Sequence, residues 1–596
     1  MRREFEKYYL HLLLRSPYYE PITRYHPDDT FMIIVRRVCP IDWDIAVDGL
    51  WLRATPRQYD GPGQGWKIHV STIPSNASIV LETAARLSVG MGIPFKCASD
   101  SRIAALQITK RWPREASGKF FVMYPPSVEK SREALEKLAE LLKGIDGPYV
   151  LSDRRFAPSV FYRYGGFKGM WHLRVTGERE FLMKTPSGGF KGDVRMPYWN
   201  APDWVKDPFV KESGSTEDPK FLGGRYRIDS ALSFSVSGGV YLGYDNETGH
   251  AVVLKEARPF VVYDDDGLDA IERLHKEYAI LTHLAHLGIT PKPIEIINEW
   301  EHVFLVEEYI AGMDVGKWVT EESPLLDPEF SSEEAEDLNK RTIRLWLSMA
   351  KAIRDIHTAG VVLGDLSHSN ILIKSHDGSS VCVVDLESAW RMDQDTPGSI
   401  RTPGFHPLDS SNHGIKADRY ALGVLMSNSF FPVSSFFEQD PKAVTRLMND
   451  IRRKTGLTQE LADIPSKLMF GEESIDEVIS LLSDAVFEEL FTAPVQGNLP
   501  NGVTDERLGH LTEMLVKEIE HSQNLERNDS LFPGDPQLYR TNPLSVAYGA
   551  CGVVYALSKL SKNDHGKIVN WILRHPISPD GYPPGLWIVW DRMGTY

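Results

Sequence analysis

The sequence predicts a multidomain protein: an α+β domain over residues 1–215, a bilobal domain over 221–500 and a partial all-α region over 504–596. Three observations predict it. At 596 residues the chain is too long for one core. Short β-branched runs alternate with helical patterns in the first third and again in the middle. A polar stretch with glycine and proline, Val210-Lys-Glu-Ser-Gly-Ser-Thr-Glu-Asp-Pro219, separates the two.

The first region opens on the apolar run Tyr8–Leu14. It is preceded by Glu4 and Glu6 and followed by Arg15, a poor signal peptide and too short to span a bilayer. Strands are predicted at Phe31-Met-Ile-Ile-Val35, Trp66-Lys-Ile-His-Val70 and Lys119-Phe-Phe-Val-Met-Tyr124, and helices near Ala77–Leu87 and Val128–Leu142. Strand alternation puts Lys67 and His69 on one face, one cationic and one able to give a proton. Lys96 sits in Ile93-Pro-Phe-Lys-Cys97, an apolar setting able to lower the pKa of an amine toward that of a useful base. Arg114, Lys119, Tyr124, Arg155 and Arg163 follow in the short motifs Arg114-Glu-Ala-Ser-Gly-Lys119, Met123-Tyr-Pro125, Leu151-Ser-Asp-Arg-Arg155, where Arg155 is chosen over Arg154, and Tyr162-Arg-Tyr-Gly-Gly166. Lys119 reads equally well as a surface residue.

In the middle region, Val362-Leu-Gly-Asp365-Leu-Ser-His-Ser-Asn370 reproduces the D-x-x-x-x-N spacing of a kinase catalytic loop. There the Asp orients the attacking hydroxyl and the Asn helps hold Mg²⁺. Asp385 follows the β-branched run Val381, Val383, Val384, where the second metal-binding Asp belongs. Upstream, Val252-Val-Leu-Lys255 matches the strand that carries a phosphate-contacting Lys. Glu277 lies on a helical pattern (Leu268, Ile271, Leu274, Tyr278, Leu281, Leu284) that can bring it to that Lys. Phe234-Ser-Val-Ser-Gly-Gly-Val-Tyr241 fits a strand, a turn and a strand whose glycines let backbone N–H groups approach phosphates. The cofactor-binding set is therefore Ser237, Gly238, Gly239, Lys255, Glu277, Glu307 and Tyr309, with Asn370 and Asp385 for the metal and Asp365 for catalysis.

Ser331-Ser-Glu-Glu334 is a capping box that opens a long helix ending near Gly360. Thr402-Pro-Gly-Phe405 and Asp418-Arg-Tyr-Ala-Leu-Gly423 read as the end of an activation segment and as a helix whose Asp braces the catalytic loop. Three departures stand out: Ser-Gly-Gly in place of G-x-G-x-x-G, Leu363-Gly364 in place of His-Arg, and Leu386-Glu387 in place of Phe-Gly.

Composition is that of an ordinary globular protein, with 42% hydrophobic and 25% charged residues. The net charge of −16 disfavours non-specific binding to nucleic acid or anionic membrane. Four widely separated cysteines (Cys39, Cys97, Cys382, Cys551) form neither a disulfide framework nor a zinc site, so a reducing cytoplasm is the simplest location.

The order of Lys67-x-His69, Lys96 and the later arginines resembles the bacterial phosphothreonine lyases. More closely, it resembles the N-terminal domain of class III lanthipeptide synthetases, and the kinase motifs resemble the same family. The resemblance implies a phosphothreonine-lyase-like domain, a protein-kinase-like domain and a cyclase-like region. It implies that Ser and Thr of a ribosomal precursor peptide are phosphorylated with ATP or another NTP and Mg²⁺, and that phosphate is then eliminated to dehydroalanine and dehydrobutyrine. By resemblance Lys96 is the base, His69 the general acid and Lys67 the enolate-side cation. Arg114, Tyr124, Arg155 and Arg163 bind phosphate, and a leader helix of the precursor docks on the kinase domain. Ser545–Tyr555 resembles the first helices of a lanthionine cyclase, but the stretch from Thr504 to Tyr596 is too short to close such a ring, so cyclisation is not expected of this chain. A class IV synthetase and a peptide-binding pseudokinase scaffold are the alternatives.

Overall fold

The computed structural model describes residues 25–575 and Tyr18, apart from 111, 174–178, 211–220, 265–266, 328–329, 394–401, 408–413, 438–439, 472, 489–503, 535–537, 539–543, 545 and 548. The run at Tyr8–Leu14 and nearly all of the linker lie outside these residues, as does part of the segment from Ser545. Packing divides the chain into two units, one of residues 1–216 with 502–596 and one of residues 217–501.

The N-terminal part of the first unit is a seven-stranded antiparallel sheet flanked by helices. Its strands are β1 (Trp43–Asp48), β2 (Trp51–Pro56), β3 (Gln64–Val70), β4 (Phe95–Ala98), β5 (Phe121–Met123), β6 (Arg154–Ala157) and β7 (Val160–Gly166), in the order β1-β2-β4-β5-β3-β7-β6. The helices are α1 (Thr30–Val38), α2 (Ala77–Gly90), α3 (Ser101–Leu106) and α4 (Val128–Leu141). One sheet face is apolar: Leu52, Ala54, Phe95, Cys97, Phe121, Met123, Ile68 and Val70 are all buried. The other carries the charged residues, because the side-chain period of a strand is two. A smaller sheet of β8 (Trp171–Leu173), β9 (Arg179–Lys184) and β10 (Phe190–Gly192) follows.

The strand expected at Phe31–Val35 is helix α1 instead. Phe31 and Val35 are four residues apart and both buried, whereas Ile33 is exposed; Phe31 meets Phe120 edge-on. Arg36 and Arg37 in the last turn suit the negative end of a helix dipole. The strand expected at Lys119–Tyr124 is shorter, and Lys119 precedes it in a loop.

The second unit has an N-terminal five-stranded antiparallel sheet of β11 (Tyr226–Phe234), β12 (Gly239–Asp245), β13 (Ala251–Ala257), β14 (Pro293–Glu299) and β15 (His302–Glu308), in the order β11-β12-β13-β15-β14. Helix α5 (Ala270–Leu284) packs on it, opened by a capping box of Asp269 and Glu272. The helical lobe contains α6 (Val315–Glu322), α7 (Ser332–Thr358), α8 (Ile415–Asn428), α9 (Ala443–Thr455), α10 (Gln459–Phe470) and α11 (Ile475–Glu488). Helix α7 starts with the capping box of Ser331 and Glu334, and Gly360 just beyond its end is left-handed at φ 79°. Short strands β16 (Met313–Asp314), β17 (Val361–Val362), β18 (Ile371–Ile373), β19 (Val381–Val383) and β20 (Trp390–Arg391) frame the loops that follow α7.

After the second unit, α12 (Asp505–Ser522), α13 (Ala550–Leu560) and α14 (Gly566–Arg574) bury Val516, Leu557, Ile568 and Trp571 in one cluster. Cys551 packs against it. The Trp571 indole N–H donates to the Arg527 carbonyl at 2.7 Å. Among the described residues no helix is long and apolar enough to cross a membrane.

Candidate active sites

In the first unit, register brings the predicted residues together. Lys96 pairs with Val122, Val122 with His69, and His69 with Phe161, which pairs in turn with Arg155. Arg53 pairs with Lys96 at one end of this row. Directly paired residues share a face, so Lys96, His69 and Arg155 look out of the same side of the sheet. Lys67, two residues from His69, pairs with Arg163 and extends the same face, and Tyr124 stands just past the end of β5, two residues on from Val122. Arg114 is half-buried in the loop that leads to Lys119. Arg154 belongs to the opposite face: it pairs with Asp207 at 2.8 Å and lies 4.6 Å over Trp199.

Lys67, His69 and Arg163 are all buried. Two carboxylates balance them. Asp193 accepts from Arg163 Nη2 at 2.8 Å and from the Gly166 N–H at 3.2 Å. Asp153 meets His69 Nδ1 at 2.5 Å and accepts from the Ser152 hydroxyl at 2.6 Å. Lys119, read in the sequence as equally well a surface residue, is buried at 5% exposure, with Nζ 3.7 Å from Asp153 Oδ1.

Burial lowers Lys67 well below the ordinary lysine value, and the neighbouring Arg195 and Arg163 add to it. Burial also pushes His69 down to about 3, with Asp153 opposing. Asp153 feels burial in the other direction, but His69 and Lys119 outweigh it and keep its carboxyl below the usual range. The pair is therefore a neutral imidazole whose Nδ1–H donates a hydrogen bond to the Asp153 carboxylate, with Nε2 left for chemistry. The face can attract an anion, and it holds both amines and an imidazole for proton transfer.

Sequence reasoning missed Asp153, Asp193, Arg195 and Arg53. Asp153 had a signal, since it stands in the quoted motif Leu151-Ser-Asp-Arg-Arg155, but its partner His69 is 84 residues away.

In the second unit, Lys255 on β13 is 2.6 Å from Glu277 on α5 and 3.3 Å from Glu307 on β15, with Asp385 at 4.0 Å. Burial works against the Lys255 ammonium, and the three carboxylates outweigh it, holding its pKa well above the ordinary value. Glu307 thus approaches the lysine, while Tyr309, just past β15, is exposed. Ser237 and Gly238 form the turn between β11 and β12. Gly238 is required there by packing, since a Cβ would stand 1.9 Å from the Glu256 carbonyl oxygen.

Asp365 accepts from the Thr402 N–H at 2.7 Å, and the Asn370 amide donates to the Asp365 carbonyl at 2.7 Å. Asp385 is left-handed at φ 59°. Asp418 on α8 accepts from the Leu363 and Gly364 N–H groups at 2.8 and 2.9 Å and meets His357 at 2.9 Å, bracing the loop from beneath. The departures have local reasons. Gly364 has φ 76°, and a Cβ would lie 2.4 Å from the Trp390 ring; Leu386 is buried, and Glu387 pairs with Arg273 at 3.1 Å.

Comparison with known proteins finds relatives for both units. The model described as RamC, N-terminal domain, matches residues 32–220, and the protein kinase domain model matches residues 226–487. The chain is 31% identical over 578 residues to a probable SapB synthase of Streptomyces coelicolor, covering 92% of this chain and 61% of that protein. It is also similar to the probable serine/threonine-protein kinase PknB of Lactococcus lactis, 24% identical over 216 residues, which cover 35% of this chain and 31% of the relative. The serine/threonine-protein kinase ULK3 of Xenopus laevis is 23% identical over 276 residues, covering 44% of this chain and 53% of that one.

A kinase domain implies ATP and Mg²⁺. The residues present fit both. Lys255 is anchored by Glu277 for phosphate, and Mg²⁺, which keeps several waters and takes few protein oxygens, suits the half-exposed Asp385 and the Asn370 carboxamide.

Proposed function

We propose that this chain, which belongs to the class III lanthipeptide synthetase family, phosphorylates Ser and Thr of a precursor peptide in its second unit and eliminates the phosphate in its first. In the kinase site Asp365 orients the attacking hydroxyl and Lys255 binds phosphate, while Asp385 and Asn370 would hold the metal, which would supply charge neutralisation for the phosphoryl group. Ser237, Gly238, Gly239, Glu277, Glu307 and Tyr309 line the nucleotide side.

The observation that carries the second step is the shared sheet face of Lys67, His69, Lys96 and Arg163. Removing a Cα proton needs a base and a cation beside the developing enolate, and the leaving phosphate needs a proton and charge neutralisation. On this reading the Lys96 amine takes the Cα proton, the electron pair forms the Cα–Cβ double bond, and the Cβ–O bond breaks toward phosphate. His69 protonates the departing oxygen from Nε2. A phosphoryl dianion favours the imidazolium, which burial otherwise disfavours, so substrate charge itself arms the acid. Lys67 faces the enolate, and Arg114, Tyr124, Arg155 and Arg163 bind phosphate oxygens.

We read the helices after Thr504 as cyclase-like, and thioether formation as a property of the wider family. The precursor's leader helix is assigned to the kinase domain as a helix-in-groove ligand.

Mass spectrometry after incubation with ATP, Mg²⁺ and a Ser/Thr-rich precursor peptide tests the proposal. Wild type should give loss of water, Lys96→Ala should accumulate phosphopeptide, and Asp365→Asn should leave the peptide unmodified. Dehydration by Lys96→Ala at the wild-type rate would sink the elimination reading.

A further inference from the structure

Lys119 has no part in the mechanism above. It is 5% exposed, and its Nζ is buried without a hydrogen-bond partner. Asp153 Oδ1, the nearest counter-charge, is 3.7 Å away, close enough for an ion pair and too far for a hydrogen bond. An ammonium carries three donors, and burying them unmet is costly. The same Asp153 carboxylate grips His69 Nδ1 through its other oxygen, at 2.5 Å, and is itself fixed by the Ser152 hydroxyl at 2.6 Å. Lys119 and His69 are thus tied to one buried carboxylate, with Arg163 and Arg195 as the neighbouring cations and Glu115 as the other neighbouring acid.

We propose that Lys119 is a further catalytic residue of the elimination, binding a non-bridging oxygen of the departing phosphoryl group, and that Asp153 is the positioning residue that aligns it with His69. The proposal rests on the lyase reading of this face. A tetrahedral dianion supplies the acceptors that the ammonium lacks, and it does so beside the imidazole that must protonate the bridging oxygen. Asp153 holds the His69 tautomer with Nδ1–H inward, so Nε2 faces the same anion. Bond changes stay as in the elimination above: Lys119 exchanges no proton with the substrate and lowers the charge on the leaving group. Burial brings its amine down to about 7, with Asp153 opposing, so an arriving anion also draws the proton onto it.

The test uses the full chain and a synthetic phosphoserine peptide, with dehydroalanine followed by mass spectrometry. Lys119→Met should lower kcat/KM roughly 30-fold or more, and Lys119→Arg should recover most of it. Phosphorylation of a Ser/Thr-rich precursor by Lys119→Met should continue and phosphopeptide accumulate. Asp153→Asn should lower kcat with little change in KM and shift the acid limb of the pH–rate profile, which a merely structural role would leave in place. Wild type that leaves the phosphopeptide intact overturns the lyase reading itself. Wild type that eliminates, with Lys119→Met within threefold of it, overturns the role of Lys119 alone. An unmoved pH profile in Asp153→Asn overturns the role of Asp153.

Discussion

Lys119 shows how a residue can cost stability where it serves chemistry. Its folded pKa is about 7 against an ordinary 10.5, so between those values the unfolded chain binds a proton that the folded chain lacks. Stability of the first unit is therefore lost as pH falls from 10.5 to 7 and is flat below that window, the opposite sign to a lysine that gains a partner. At about 1.4 kcal/mol per unit the full effect is on the order of 5 kcal/mol. Lys119→Met should melt higher than wild type at pH 7, with the gap closing by pH 10, in paired thermal scans. A gap of the same size at both pH values would refute the shifted lysine. None of this was legible in the sequence. Lys67 and His69 could be put on one face because alternation is local, whereas Lys119 precedes its strand in a loop and its nearest counter-charge is Asp153, 34 positions on.

At the level of elements, what could be read was what local periodicity dictates. The capping box of Ser331 and Glu334, the apolar stripe of α5 and the helices at 77–90 and 128–141 follow from spacing alone. Phe31–Val35 misled because a short apolar run fits a strand and a helix equally, and tertiary packing through Phe31 and Val35 decided it. Sheet order was not readable either, since β4, β5 and β3 lie side by side through pairings between distant segments. The catalytic loop is the exception: the D-x-x-x-x-N spacing announces it, and its support by a helix Asp was expected. Asp418 is 1% exposed and accepts from two loop N–H groups as well as facing His357. Asp418→Ala would leave those donors buried without an acceptor, a loss of about 3 kcal/mol or more. Denaturant titration should show it, with phosphorylation reduced at least tenfold and elimination from a supplied phosphopeptide retained. Full phosphorylation by this variant would mean that the loop holds its shape unaided.

For the whole molecule, the chemistry proposed for the two units is complementary: the phosphate ester that one would make is the leaving group that the other would require. Nothing in this division of labour demands that a peptide stay on one chain, because a phosphopeptide is stable in water and each site is built within its own unit. Sharing a chain raises the effective concentration of one site near the other. An equimolar mixture of Asp365→Asn and Lys96→Ala chains should therefore dehydrate the precursor although neither does alone. Its rate should rise with chain concentration, where that of wild type at saturating peptide does not per molecule. Free phosphopeptide should build up in the mixture before it is consumed, visible as a transient in a mass-spectrometric time course. If the mixture stays inactive while each chain performs its own half-reaction, the intermediate is never released, and the units must pass it directly between them.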